Sequence, residues 1–238
     1  MKIYSRLFVI PALIAGLQAA SAADITGKVT LSGTPPPEIV NDHIKNDPIC
    51  GPLHPEEVTT HFYVVGADNG LGDVVVMLDN ISGKSTGASA EPLVLDQKGC
   101  LYTPSILAVQ TGQKVLVRNS DPVLHNIHVV PGPNSGNTEM NKAQMQGGPD
   151  LVFTFDKPER FLKLKCDVHD WMFAWVTVVD HPWFAVTDKD GNFKIANVPP
   201  GKYSVVALHR KAGSSSKDVE VKDASAEVDF TLEVPKPK

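Results

Sequence analysis

Cysteine is scarce in this chain: Cys50, Cys100 and Cys166 are the three among 238 residues. So few rule out a small, loop-rich scaffold held by many disulfides. A basic surplus is also missing. Lys and Arg number 22 against 27 Asp and Glu, for a net charge of −5, which argues against nucleic acid as a partner. Long apolar runs are missing as well. The longest covers residues 7–17, too short to span a bilayer comfortably, and no later run exceeds it. No serine or cysteine hydrolase motif appears. His43, His54, His61, His181 and His209 show no close ligand spacing such as H-x-H. A copper oxidase or similar enzyme would want a further open metal site, so the chain reads as a non-enzyme.

The start of the chain reads as an address. Lys2 and Arg6 precede the apolar run, and Ala20, Ser21 and Ala22 follow it as small residues at a cleavage site. Residues 1–22 are therefore expected to be a secretory signal peptide. Cleavage after Ala22 leaves 20 basic against 27 acidic residues, a net −7. No cysteine stands directly after the cut, so a lipid anchor is not expected. An exported, periplasmic chain with no membrane span in its mature part is expected.

One stretch concentrates soft metal ligands. Cys166, His169 and Met172 fall within seven residues, and His125 stands upstream of them in a strand-like run. Two imidazoles, one thiolate and a weak axial thioether are the ligand set of a mononuclear blue-copper site. Zinc suits the set less well, because thioether is not among its usual ligands. Cys166 ends a run in which Leu162 and Leu164 alternate with Lys163 and Lys165. The thiol therefore shares the apolar face of a strand. Residues 167–171 form the loop to the next strand, so three ligands meet at one end of a sheet.

The C-x2-H-x2-M loop with a preceding H-N-x-H resembles the cupredoxins, most closely the amicyanins, over residues 91–179. That resemblance implies a Greek-key β-sandwich and one type 1 copper ion held by His125, Cys166, His169 and Met172. It implies that Asn126 ties the two ligand loops by hydrogen bonds. It makes His125 the buried imidazole and His169 the solvent-facing one. It leaves His128 a structural or surface residue. Cupredoxins of this kind often carry Pro after the loop histidine, where this chain has Asp170. A carboxylate there is expected to favour protonation of His169. Trp171 and Phe173 are candidates for an apolar rim around the electron exit.

With Cys166 assigned to the metal, Cys50 and Cys100 remain in an exported chain, where disulfides persist, and are paired. The rival is a second metal cluster of Cys50 and His54 with His43 or His61. No convincing fourth ligand accompanies it.

The rest of the chain shows strand patterning. Residues 25–31 alternate apolar with polar, residues 73–78 are apolar and β-branched, and short strands follow at close intervals from residue 93. Residues 38–60 read as a surface loop pinned at Cys50, and residues 82–90 as a flexible connection. Residues 131–150 read as a long loop in which Met140 and Met145 are candidates for contact with a partner. Residues 184–195 read as a hairpin with its turn at Asp190 and Gly191.

T-D-x-D-G-x-F followed by V-P-P-G-x-Y resembles the carboxypeptidase regulatory-like β-sandwich, with Gly27 and Val29 supplying its first-strand G-x-V. The combined layout also resembles methylamine-utilisation-like exported proteins. The fold class expected is all-β: a cupredoxin over residues 88–180, inserted in a smaller transthyretin-like sandwich built from residues 24–85 and 181–235. The function expected is single-electron transfer between redox protein partners. The alternative is a copper-binding or delivery module with the same ligands.

Overall fold

The computed structural model describes residues 21–222 and 224–236, so the expected signal peptide lies outside the described residues apart from its last two positions. The fold is nearly all-β, with short strands arranged in four sheets and, among the described residues, one short α-helix, Asp42–Asn46. No described helix is long and apolar enough to cross a membrane.

Two sheets draw their strands from both ends of the chain. In one, Ala23–Ser32 pairs antiparallel with Asn192–Val198 and parallel with Ala226–Glu227 and Phe230–Glu233. In the other, the order is Phe184–Val186, Val75–Leu78, Gly201–His209 and Gly213–Val221. Ile25, Val29, Val76, Leu78, Ile195, Val205 and Phe230 bury one shared core between them. The alternation of residues 25–31 thus buries one face of the first strand. At Gly27 a Cβ would lie 1.9 Å from the Val228 carbonyl oxygen, so only glycine admits that chain beside the strand.

The other two sheets come from the middle of the chain. One runs Ile106–Gln110, Phe173–Val179, Glu159–Lys165, His125–Val130, Met140–Gln144. The second runs Tyr102–Thr103, Leu93–Gln97, Val115–Asn119, Leu151–Phe153. Their core includes Leu95, Val117, Ile127, Leu162, Leu164, Cys166, Met172 and Val176. A third cluster, with Val75, Met77, Ile106, Ala108, Val206 and Leu208, packs residues of the two halves together.

Four segments depart from the sequence reading. Within the expected loop 131–150, Met140–Gln144 is a strand at the sheet edge, paired with His125–Val130. Its residues carry no apolar period because it adds mainly backbone hydrogen bonds. The expected hairpin at 184–195 keeps its turn, with Asp188 and Asn192 hydrogen-bonded at 3.0 Å. Its arms, however, join different sheets, so the turn arches across the core. Residues 38–60 are not merely superficial. Ile44 and Cys50 are buried in the same core as Cys166. Residues 82–90 are tied down rather than free: Thr86 and Gly83 donate to Gln110 and Asp180 side chains at 2.7 and 2.6 Å.

Candidate metal centre

Strand ends bring the candidate ligands together. His125 opens the strand His125–Val130, and Cys166 follows directly on Glu159–Lys165, its antiparallel neighbour. The turn between Cys166 and the strand Phe173–Val179 is closed by two backbone hydrogen bonds. Cys166 N–H donates to the Met172 carbonyl, and Met172 N–H to the His169 carbonyl, both at 3.0 Å. That closure lifts His169 towards His125. Their Nδ1 atoms stand 3.0 Å apart, and the Cys166 Sγ is 3.8 Å from the His169 Nδ1. All three donor atoms fall within 4.8 Å of one another, and all three residues are buried. Met172 is fully buried in the core that contains Cys166.

The hydrogen bonds around the cluster select donor atoms. His125 Nε2 lies 2.9 Å from the Asp121 carboxylate, an i,i+4 pair with both side chains shielded. An ionised carboxylate only accepts, so Nε2 carries a proton, which leaves Nδ1 as the atom that can face a metal ion. Asp121 also accepts the backbone N–H groups of Gly99 and Cys100 at 2.6 and 2.7 Å. Burial opposes its charge, but the His125 imidazole and these N–H groups outweigh burial and hold its pKa below the usual carboxylate range. Burial likewise opposes charge on His125, yet Asp121 and Cys166 together raise its pKa. Burial also works against the Cys166 thiolate. Hydrogen bonding to His125 and to backbone groups of Asn126, Val168 and His169 more than offsets it, so the thiol ionises more readily than an ordinary cysteine.

Asn126 stands behind the cluster. Its Oδ1 accepts the Asp167 N–H at 2.8 Å and lies 3.2 Å from Cys166 Sγ, while its Nδ2 donates to Asn141 at 2.7 Å. One side chain thus fastens the strand that carries His125 to the loop that carries His169. Tyr102 adds a hydroxyl donated to the Asn126 carbonyl. His128 is held between Asp167 and Glu139 at 2.9 and 2.7 Å.

One expectation about the loop is corrected, and another is outweighed. His169 does not face solvent: it is 7% exposed, against 0% for His125, because the Trp171 ring packs 5.1 Å from its own. Asp170 does not pair with it. That carboxylate turns outward to His43 at 3.1 Å. The charges of Asp47, Asp121 and Asp170 favour protonation of His169 as expected for Asp170, but burial first, then the neighbouring His125, outweighs them and lowers its pKa, so the imidazole stays neutral and able to ligate.

Cys50 and Cys100 form a disulfide, with Cα atoms 5.7 Å apart. Their sulfurs lie within 4.8 Å of a His169 ring nitrogen, so the crosslink walls the cluster on that side. The rival cluster around His54 does not form: its Nε2 is 2.6 Å from the Gly99 carbonyl. The sequence alone does not single out Asp121. Its position four residues before His125 was the available signal for its role. Nothing in the local pattern pointed to Tyr102.

The donor set fits one soft ion. Two imidazole nitrogens at about 2.0 Å from a shared tetrahedral centre stand roughly 3.3 Å apart, close to the spacing found.

No protein-family model and no curated protein matches the chain. Among solved structures it is similar to the Cu(I) form of an amicyanin mutant, at 20% identity and a TM-score of 0.33, over 43% of this chain and 97% of that chain. An oxidised amicyanin variant matches at 21% identity with the same TM-score and coverage. A copper-containing nitrite reductase from Thermus scotoductus SA-01 matches at 20% identity and 0.33, over 42% of this chain and 25% of the reductase. Neither likeness bears on what this chain binds.

Proposed function

We propose that this chain is an exported protein that holds one copper ion in a type 1 site and carries single electrons between redox protein partners. The convergence of His125 Nδ1, His169 Nδ1 and Cys166 Sγ at a buried point carries this reading. Met172, buried beside Cys166 in the core, would hold the ion as a weak thioether donor. Copper, when bound, would supply a one-electron couple between its cuprous and cupric forms.

The protein's share is rigidity and dryness. Asp121 fixes the His125 tautomer, Asn126 locks the two loops, and the disulfide and Trp171 close the cluster from water. Residues held in place from several sides change little when the charge at their centre changes, which suits electron transfer. Trp171 and Phe173 would form the rim met by a partner.

The proposal includes the division of the chain. Residues 88–180 would form a cupredoxin unit inserted in a carboxypeptidase regulatory-like sandwich of residues 24–85 and 181–235. Sheet membership supports it, although Ile44 and Cys50 cross over to pack in the central core. The Cys50–Cys100 disulfide supports export to an oxidising compartment.

The test is spectroscopic. Copper-loaded, oxidised protein should show an intense thiolate-to-copper band and narrow EPR hyperfine splitting. Cys166→Ser should abolish both. The copper should stay bound through repeated oxidation and reduction. A colourless cupric form would overturn the type 1 site, and loss of copper on each reduction would turn the reading to copper delivery.

A further inference from the structure

A cavity of about 400 Å³ opens where the two halves of the molecule meet. One wall is aromatic. Trp171, Phe173 and Trp175 stand at alternate positions along one strand and its approach, so they face the same way. Each is only partly buried, while Met172, Ala174 and Val176 between and beyond them point into the core.

Two charged side chains line the same cavity. Arg210 lays its guanidinium over the Trp175 ring, 3.4 Å from the centroid. Stacking occupies the flat face of the guanidinium and leaves its N–H fork free in the plane. Among the described residues no carboxylate lies within ion-pair distance of Arg210, and it makes no hydrogen bond. Burial lowers its pKa to about 10, so it remains a cation at neutral pH. The neighbouring His209 is neutral there, its pKa taken down to about 4 by burial and by Arg210. Asp73 is the second charged group. It is part-buried, and among the described residues its one side-chain hydrogen bond is a long one, from the Ser105 hydroxyl at 3.4 Å, with His61 also in the cavity lining. Burial raises its pKa. A cation and a carboxylate thus share a small cavity without pairing with each other.

We propose that this cavity binds a one- or two-ring aromatic carboxylate that also carries a ring hydroxyl. The ring would lie on the aromatic wall, where stacking favours a flat π-system. The carboxylate would meet the Arg210 fork, which matches it with two parallel hydrogen bonds. The hydroxyl would donate to Asp73. The volume is in the range of small-molecule pockets, roughly 300–1,000 Å³. Trp171 packs against His169 on one side and lines the cavity on the other, so the occupant lies one side chain from the candidate metal centre. Binding is nevertheless independent of the copper reading.

The test uses the metal-free, full-length chain and calorimetric titration with 6-hydroxy-2-naphthoate, 2-naphthoate and 2-naphthol. Saturable one-to-one binding is expected, with the hydroxynaphthoate tightest and 2-naphthol at least about tenfold weaker, the loss typical of one charge-assisted hydrogen-bonded pair. Arg210→Gln should weaken both carboxylates about tenfold or more and leave 2-naphthol unchanged. Arg210→Lys keeps the charge without the fork and should weaken them by less. Asp73→Ala, which leaves no acceptor, should erase the preference for the hydroxylated compound over 2-naphthoate. Circular dichroism and thermal unfolding of each variant confirm that it is folded. No saturable binding to the wild-type chain would overturn the proposal. So would equal affinity for 2-naphthol and the carboxylates, or unchanged affinity in both Arg210 variants.

Discussion

The Asp121 carboxylate lies 2.9 Å from His125 Nε2 and accepts two backbone N–H groups from the segment that bears Cys100. One side chain therefore orients a candidate ligand and shapes the loop that carries the disulfide. An amide at this position cannot accept from all three donors at once, and it removes the negative charge that makes His125 a stronger donor. Asp121→Asn should lower copper affinity about 10- to 100-fold, the usual cost of losing a carboxylate behind a metal-bound histidine. Competition against a cuprous chelator measures it. Unchanged affinity in a folded variant would restrict Asp121 to supporting the loop.

Met172 gives a test with opposite signs. A thioether is a weak axial donor. Met172→Gln offers a harder oxygen, which favours the cupric form, so the reduction potential should fall. Met172→Leu removes the donor and keeps the site dry, so the potential should rise. Shifts on the order of 59 mV, a tenfold change in the one-electron equilibrium, are expected. Potentials that stay put in both variants would exclude Met172 as the axial ligand.

What was legible in the sequence followed simple periods. Leu162, Leu164 and Cys166 alternate with lysines, and the structure buries the first three at 0%, 1% and 2% exposure. The Cys50–Cys100 pair followed from export and from one cysteine already being assigned. Partners chosen across the fold were not legible. Met140–Gln144 is polar and pairs through its backbone, so no apolar pattern announces it. The arms of the turn at Asp190 and Gly191 have strand patterning that fits a hairpin and an arch equally well. Which one forms depends on Ala23–Ser32, more than 150 residues away, claiming the second arm. The cupredoxin resemblance makes His169 the solvent-facing ligand. Trp171 covers it, and a ring's direction is not written in local spacing.

The proposed division of the chain is tested by cutting it. Asn192–Val198 and Phe230–Glu233 pair with Ala23–Ser32, and Gly201–His209 pairs with Val75–Leu78. Residues 181–238 alone would leave Ile195, Val205 and Phe230 without the residues that bury them. That fragment should be unfolded by circular dichroism and should gain structure when mixed with residues 21–180. A fragment that folds cooperatively on its own would refute the discontinuous unit.

His209 predicts how stability depends on pH. Its ring is 4% exposed, packs 5.4 Å from that of Tyr63, and uses Nδ1 to accept the Ala212 N–H at 3.0 Å. Burial first, and then Arg210, takes its pKa from 6.5 down to about 4. Above pH 6.5 the ring is neutral in the folded and unfolded chains alike, and the shift contributes nothing. As pH falls from 6.5 towards 4, the unfolded chain takes up a proton that the folded chain refuses, so stability is lost. The loss is complete below the folded pKa and amounts to about 3 kcal/mol, at 1.36 kcal/mol per pKa unit. Asn in place of His209 keeps a hydrogen-bond acceptor and has nothing to titrate. His209→Asn is therefore less stable than the wild type at pH 7.5, through lost packing, but the gap should narrow by most of that amount at pH 4. Urea unfolding of the two metal-free proteins at several pH values gives the difference directly, and other titrating groups cancel between them. A gap that stays constant from pH 7.5 to 4 would mean that His209 titrates normally in the folded chain.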